Sequence, residues 1–365
     1  MKISFCFLVL VFNLFSVSAQ KIKIVDANFK AKLLESSTSS YIAKDKNNKS
    51  LKIDQNDDGE IQANEAEDVF ELVLINANIS NLEGIENFKN LNALKCIGNE
   101  LTSLNLNGLE KLKKLECYNN QLQILEIQKC LILEHLDCST NKLTSLNIKG
   151  LVNLENLFCA ENQLNSLNIE KSDVLKKLIC CYNRIETLNV DGFSSLTNLD
   201  CSANQLKNLN LKGLRSLRDL TCRENKLKSL DLRGLESLEL LMAFENELTD
   251  LNVQGLKKLI YLSCYSNQLT SLDLTGINTI TALYCHSNKL INLNVIGMKD
   301  LNYLHCESNQ LTSLTVKGSP RLSVLDFSNN FYLRHICCDV SMKNKVLESV
   351  KNNNQRAGVS TSCSI

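Results

Sequence analysis

The apolar residues of this chain fall on a fixed beat. Leu91, Leu94, Cys96, Leu101, Leu104 and Leu106 return as Leu259, Leu262, Cys264, Leu269, Leu272 and Leu274, and Asn99 and Gly108 return as Asn267 and Gly276. The frame is L-x-x-L-x-C-x-x-N-x-L-x-x-L-x-L-x-G. Asparagine at 78, 99, 120, 141, 162, 183, 204, 225, 246, 267, 288, 309 and 330 keeps a spacing of 21 residues throughout, which excludes chance. Leu94 and Cys96 alternate with polar neighbours, so each period predicts one short strand with a single buried face. Three residues after the cysteine the chain must leave the sheet. An asparagine amide there satisfies backbone groups that the bend would otherwise bury unpaired, and stacked amides predict a ladder. Leu101, Leu104 and Leu106 point inward from the outer wall, and Gly108 permits the return to the next strand. No period buries its apolar face alone, so stability must come from stacking, with a cap at each end.

These residues resemble the leucine-rich-repeat family, and among its branches the secreted bacterial members with units of about 21 to 22 residues, broadly internalin-like. The resemblance covers about 69–336. It implies an α/β repeat solenoid: a horseshoe or arc with a concave parallel β-sheet, one short strand per repeat and helical caps at both ends. It also implies a binding role without naming the partner. Departures are local. Ile75, Ala243 and Phe327 stand at the cysteine position, Lys129 and Lys171 at the glycine, and Ile79, Leu82, Ile85 and Phe88 run in a shifted frame.

Outside the beat the ends differ in character. Lys2, an apolar run from Ile3 to Phe15 and the small residues Ser16, Val17, Ser18 and Ala19 read as a cleaved signal peptide over residues 1–19. The expected organisation is then an N-terminal cap over 20–68, the solenoid over 69–336 and a C-terminal cap over 337–365, with no sorting or anchoring module. No later stretch approaches the roughly 20 apolar residues of a membrane span, which predicts a secreted or periplasmic protein. Forty basic residues balance 40 acidic ones. No basic surplus is left for a phosphate backbone, so nucleic acid is not an expected partner.

Sixteen cysteines in an exported chain would ordinarily mean a disulfide framework. Ten of them, however, from Cys96 to Cys306, occupy the one inward strand position, where a thiol acts as a small apolar filler. Cys130 takes an outer-wall leucine position. Cys181 follows Cys180 and is expected to face outward as an exposed thiol. Cys337, Cys338 and Cys363 break the period. They flank Met342, Val346, Leu347 and Val350, one face of a helix with Asp339 as its cap. One disulfide is expected there, Cys363 with Cys337 or Cys338.

At the N-terminal end, Phe29, Leu33 and Leu34 predict a short helix after Asp26. The segment from Asp54 to Glu65 then matches a twelve-position calcium loop. Asp54, Asn56 and Asp58 supply oxygen at positions one, three and five, Gly59 turns the chain, Glu60 offers its carbonyl, and Glu65 supplies a bidentate carboxylate. The loop resembles those of EF-hands and dockerins, although Leu51, Lys52 and Ile53 read as extended and not as an entering helix. The resemblance implies Ca2+ bound at the weak extracellular end, about 0.1 to 1 mM.

Strand residues that point away from the core should line the concave face in rows. Leu240, Met242, Phe244, Tyr261, Tyr265, Tyr284, His286, Tyr303 and His305 collect there, whereas earlier turns present mostly Lys, Glu, Asp, Asn and Ser. Five strands about 4.8 Å apart make a patch of roughly 20 by 13 Å. That suits the centre of a protein interface, where large amphipathic side chains dominate binding. A protein partner is the leading expectation. A glycan is the alternative, since Tyr and Phe stack on sugar rings, though the chain has no tryptophan. His286 should sit beside Glu307 and His305 beside Asp326 on adjacent strands, which brings four potential ligands close together; a transition-metal site is the alternative there, but on an open face and in different rows two ion pairs are the expected outcome, with the carboxylates favouring protonated imidazole and so acid-sensitive binding. Ser263 nearby lacks an enclosing oxyanion pocket, and no enzymatic role is expected.

Overall fold

The computed structural model describes residues 20–353 and 355–362, so the signal segment at 1–19 lies outside the described residues. The beat closes into a parallel-sheet solenoid. Its main sheet has 14 strands. Ala43–Lys44 pairs antiparallel with Glu71–Val73, and every later neighbour is parallel, from Ala93–Lys95 to Val324–Asp326. Asn198 faces Asp219 and Asp219 faces Leu240, so one period advances the chain by one strand without sliding it. Within most strands the central leucine is buried while its neighbours are half-buried or exposed, as alternation requires. On the outer wall Ser103–Asn105 pairs with Ile124–Glu126, and Asn292–Asn294, Ser313–Thr315, His335–Cys337 and Gly358–Ser360 form a second small sheet. One apolar cluster runs through the whole solenoid.

The asparagine ladder holds the bend. Asn204 Oδ1 accepts from Ile185 N at 2.9 Å, and its Nδ2 donates to the carbonyls of Cys180, Cys201 and Ser202 at 3.0 to 3.1 Å. One amide thereby joins two turns. The residue just before each rung adopts a left-handed conformation, as at Thr140 (φ 52°) and Ser287 (φ 53°). Gly98 takes this place in its turn, where a Cβ would lie 2.0 Å from Asn76 Oδ1. Gly213 belongs to the return loops (φ 85°), and a Cβ there would meet the Gly192 Cα at 3.0 Å. Gly108, by contrast, does not take left-handed backbone.

Two expectations about the first turn are corrected. Glu71 faces Ala93, a step of one residue more than between later neighbours of the main sheet. Leu74 therefore takes the cysteine position and is buried, while Ile75 is 39 % exposed. Ala77 takes the asparagine position, so Asn78 shares the spacing but is not a rung. Asn99 bonds instead to Leu74 O at 2.6 Å and to the backbone of Ala77 and Ile79.

The last turn slips in the same way, because His335 faces Ser313. Leu333 goes inside, and Tyr332, which the 21-residue count places on an inward leucine position, is 61 % exposed. The slip also separates the adjacent cysteines. Cys337 lies opposite Thr315 and is disulfide-bonded, whereas Cys338 follows the buried Val316 inward and is a free, buried thiol. Cys363 lies outside the described residues.

Each end carries little helix. Asp26 caps Ala27–Leu34 through Phe29 N, and its other oxygen accepts from Ser80 N, Ser80 Oγ and Asn81 N, tying the helix to the first turn. Partial burial works against ionising this carboxyl, yet the bonds from Ser80, Phe29 and Asn81 hold it below the usual range. At the other end Lys343–Asn352 buries Val346 and Val350, while Leu347 faces solvent. Asp339 does not cap that helix. A single 3-10 turn, Val340–Met342, intervenes, and Asp339 accepts from Gly318 N.

Candidate interaction surface on the concave face

Three outward positions per turn make three rows along the concave sheet, and the aromatic residues gather in their C-terminal half. The row three residues beyond the strand centre is continuous. Arg223 Cζ lies 5.5 Å from the Phe244 ring centre, Phe244 stacks on Tyr265 at 4.3 Å, and Tyr265 stacks on His286 at 4.3 Å. His286 then meets Glu307, with Nδ1 3.6 Å from Oε1. A cation begins this column and a carboxylate ends it. In the next row Tyr284 stacks on His305 at 5.1 Å, and Tyr261 tilts against Tyr284 at 5.5 Å from the outermost row. Tyr261, Tyr265, Tyr284 and Met242 are half-buried, and Tyr303 is exposed at 41 %. All remain on the outer side of the sheet. Burial raises the hydroxyl pKa of Tyr261 and Tyr265, so both are neutral donors at any ordinary pH. Arg223 was not foreseen as part of this surface, although its place one period before Phe244 marks it.

Ser263 is only 1 % exposed and Ala282 is buried, so both form the floor between larger neighbours. Cys181 was expected as an exposed thiol and is instead 9 % exposed. The physical reason is crowding on a concave wall: small residues there are shaded by Asp200 and Arg223. Burial and the Asp200 carboxylate push its pKa up to about 12, which makes it a poor nucleophile. The ladder thiols Cys96, Cys222 and Cys264 are likewise free, buried and raised to about 12 by burial.

The two histidines do not form separate pairs. Glu307 is two residues after His305 on the same face of one strand, so it serves both: His305 Nδ1 lies 3.5 Å from its Oε2. His305 also faces Asp326 on the next strand. Burial lowers the His286 pKa, outweighing the raising effect of Glu307, and His305 beside it lowers it further. The expectation that the carboxylates favour protonation therefore fails at His286.

In the N-terminal half the same positions carry charge. Glu116 pairs with Lys114 at 2.8 Å and Lys95 at 3.4 Å, and His135 Nε2 stands 3.8 Å from it. Tyr118 is 36 % exposed and Phe158 leans on the His135 ring. Tyr182 is held apart from the strand rows by its left-handed backbone and accepts from Arg223.

The loop at the N-terminal cap is wound tightly by its own oxygens. Asp54 accepts from Asp58 N and Gly59 N, Asn56 from Asp58 N, and Asp58 from Glu60 N. Glu65 accepts from Gln55 N and Gln62 N, one bond on each oxygen. Asp54 and Glu65 are buried, at 6 % and 2 % exposure, and no lysine or arginine ion-pairs with either among the described residues. The Glu60 carboxylate is engaged by Lys30 at 2.8 Å, leaving its carbonyl to the loop.

No protein-family model matches this chain, and no curated protein matches it in sequence. Solved structures do match. A structure described as the functional domain of InlJ from Listeria monocytogenes, which "includes a cysteine ladder", is 28 % identical, with a TM-score of 0.69 over 80 % of this chain and 74 % of that one. YopM from Yersinia pestis, described as a leucine-rich effector protein, is 27 % identical, with a TM-score of 0.61 over 74 % of this chain and 77 % of that one. The internalin InlF from Listeria monocytogenes, 18 % identical, shares the fold over 93 % of this chain and 96 % of its own, with a TM-score of 0.67. This chain has the leucine-rich-repeat fold, with the cysteine at one inward position of most turns.

Proposed function

We propose that this protein is an exported, non-catalytic binding scaffold that holds a protein partner, in adhesion or another envelope interaction, against the C-terminal half of its concave sheet. One observation carries the reading: the unbroken stack from Arg223 through Phe244, Tyr265 and His286 to Glu307 lies open on that face. Rings already stacked on one another lose little freedom when a partner covers them, so the area they offer converts efficiently into affinity. The fold neighbours support an interaction scaffold in general terms. Catalysis is disfavoured by the buried Ser263 and the raised thiol pKa values. We read the cap loop as a calcium site held by Asp54, Asn56, Asp58, the Glu60 carbonyl and Glu65. The two buried carboxylates without a cationic partner favour this, and each oxygen of Glu65 keeps a lone pair beyond its backbone bond.

The test is capture of the partner by a photo-crosslinker placed at Tyr303, followed by titration of the identified partner, with a glycan array run in parallel. Tyr265→Ala together with Tyr284→Ala is expected to weaken binding by about 2 kcal/mol or more, as for anchors at an interface centre. Tyr118→Ala should change it by less than about 0.5 kcal/mol, as at an uncovered surface position. Equal affinity of all variants, or binding to glycans alone, overturns the reading.

A further inference from the structure

We propose that His286, His305, Glu307 and Asp326 form a binding site for a first-row divalent transition metal, Zn2+ in the first instance, at the end of the aromatic stack. The geometry is that of a coordination sphere more than of an ion pair. One donor atom each from His305, Glu307 and Asp326 lie within 4.8 Å of one another, with His305 Nδ1 3.5 Å from Glu307 Oε2, and His286 Nδ1 adjoins the group through the other carboxylate oxygen, 3.6 Å from Oε1. A hydrogen bond would draw these atoms to about 2.7 to 3.2 Å. Tetrahedral zinc, with bonds of about 2.0 to 2.2 Å, holds its ligand atoms roughly 3.3 to 3.6 Å apart.

A second observation points the same way. His286 Nδ1 and Glu307 Oε2 are buried polar atoms without a hydrogen-bond partner, a state that native structures rarely leave unexplained. The similar cluster at the other end of the sheet also has an unpartnered imidazole nitrogen, His135 Nε2, but differs in charge: there Lys95 and Lys114 neutralise Glu116. Among the described residues no lysine or arginine pairs with Glu307 or Asp326, so a cation is missing where two carboxylates meet two imidazoles. A divalent ion would balance them. The donor set selects among ions, since imidazole suits zinc and its neighbours in the series, whereas calcium and magnesium take oxygen.

The scaffold also holds the donors in place. Tyr265 and Tyr284 fix the two imidazole planes by stacking, and one Asp326 oxygen accepts from Ser328 N at 2.9 Å, which orients the other. Cys285 and Cys306 belong to the same turns but sit on the core side of the sheet. A bound ion would clamp three successive turns. The site stands whether or not a protein partner is found, and its test needs no partner.

The full chain, freed of any purification tag and treated with a chelator, is titrated with zinc chloride by calorimetry at pH 7.5 and with Co2+ in the visible range. Saturable uptake of one ion at this cluster and the intense visible bands of tetrahedral Co2+ are expected. Two variants remove donors and keep shape: His286→Phe retains the ring on Tyr265, and Glu307→Gln retains the side-chain volume. Each should weaken zinc by at least about tenfold, the scale on which even outer ligands of metal sites act. His135→Phe and Glu65→Gln should leave it unchanged. Metal-free melting curves of the variants, expected close to that of the parent, separate lost ligation from lost folding. Absence of saturable uptake, uptake indifferent to both donor variants, or a thiolate charge-transfer band in the Co2+ spectrum overturns the proposal.

Discussion

An asparagine contributes to this fold through four bonds or hardly at all, and its position in the register decides which. Asn204 ties the carbonyls of Cys180, Cys201 and Ser202 to the Ile185 amide, all of them away from water. Asn204→Ala strips these groups of their partner, and each buried polar group left unsatisfied costs about 1 to 3 kcal/mol. Some recover through water, so a loss of about 3 kcal/mol is expected by urea denaturation. Asn78 has the same spacing, but its exposed side chain bridges no turns, and its backbone is left-handed (φ 52°). Asn78→Gly should be neutral or stabilise by up to about 1 kcal/mol, because glycine relieves that conformation. Similar losses at both positions would show that the ladder is not what holds the bend.

At the scale of elements, what was legible in the sequence was what repeats. Strand, bend, outer wall and the three concave rows all follow from one period, because alternation fixes the face of each side chain once the strand is located. The first and last turns were misread because each contains one extra residue, seen only in the pairing of Glu71 with Ala93 and of Ser313 with His335. Counting by 21 places Ile75 and Asn78 one position off there, while Leu74 and Ala77 hold the true places. Local crowding was not legible either. The burial of Cys181 and the convergence of both histidines on Glu307 depend on curvature and on i, i+2 neighbours, which spacing between turns does not report.

The cap loop yields the prediction proper to this scale. It carries no packing of its own beyond Ile53 and Ile61, so an ion held there should act mainly on stability. At a tenfold excess over its dissociation constant, calcium would add about 1.4 kcal/mol to whatever unit unfolds with the loop. The melting temperature should rise with millimolar calcium, and Glu65→Gln or Asp54→Asn should abolish the rise. A calcium-independent parent protein would reduce the loop to a hydrogen-bonded turn.

At the scale of the whole molecule, strand pairing and the asparagine rungs join each turn to the turns beside it, with only a long side chain such as Arg223 reaching two turns away, so the solenoid is close to a one-dimensional stack whose stability is a sum of turns and of interfaces between them. Excising residues 198–218 removes one full period and brings Lys177 opposite Asp219 with every face preserved. The product should fold. Its urea m value should fall by about one part in fourteen, since m follows the surface exposed on unfolding and the main sheet has 14 strands. The stack from Phe244 to Glu307 lies beyond the cut and should keep whatever it binds. Removing only residues 198–208 leaves the later turns half a period out of phase, so that outer-wall leucines meet strand positions and the asparagine rungs lose their carbonyls. That variant should be unfolded at least locally and open to protease. If the half-period deletion were as stable as the full one, register between turns would not be the source of this fold's stability.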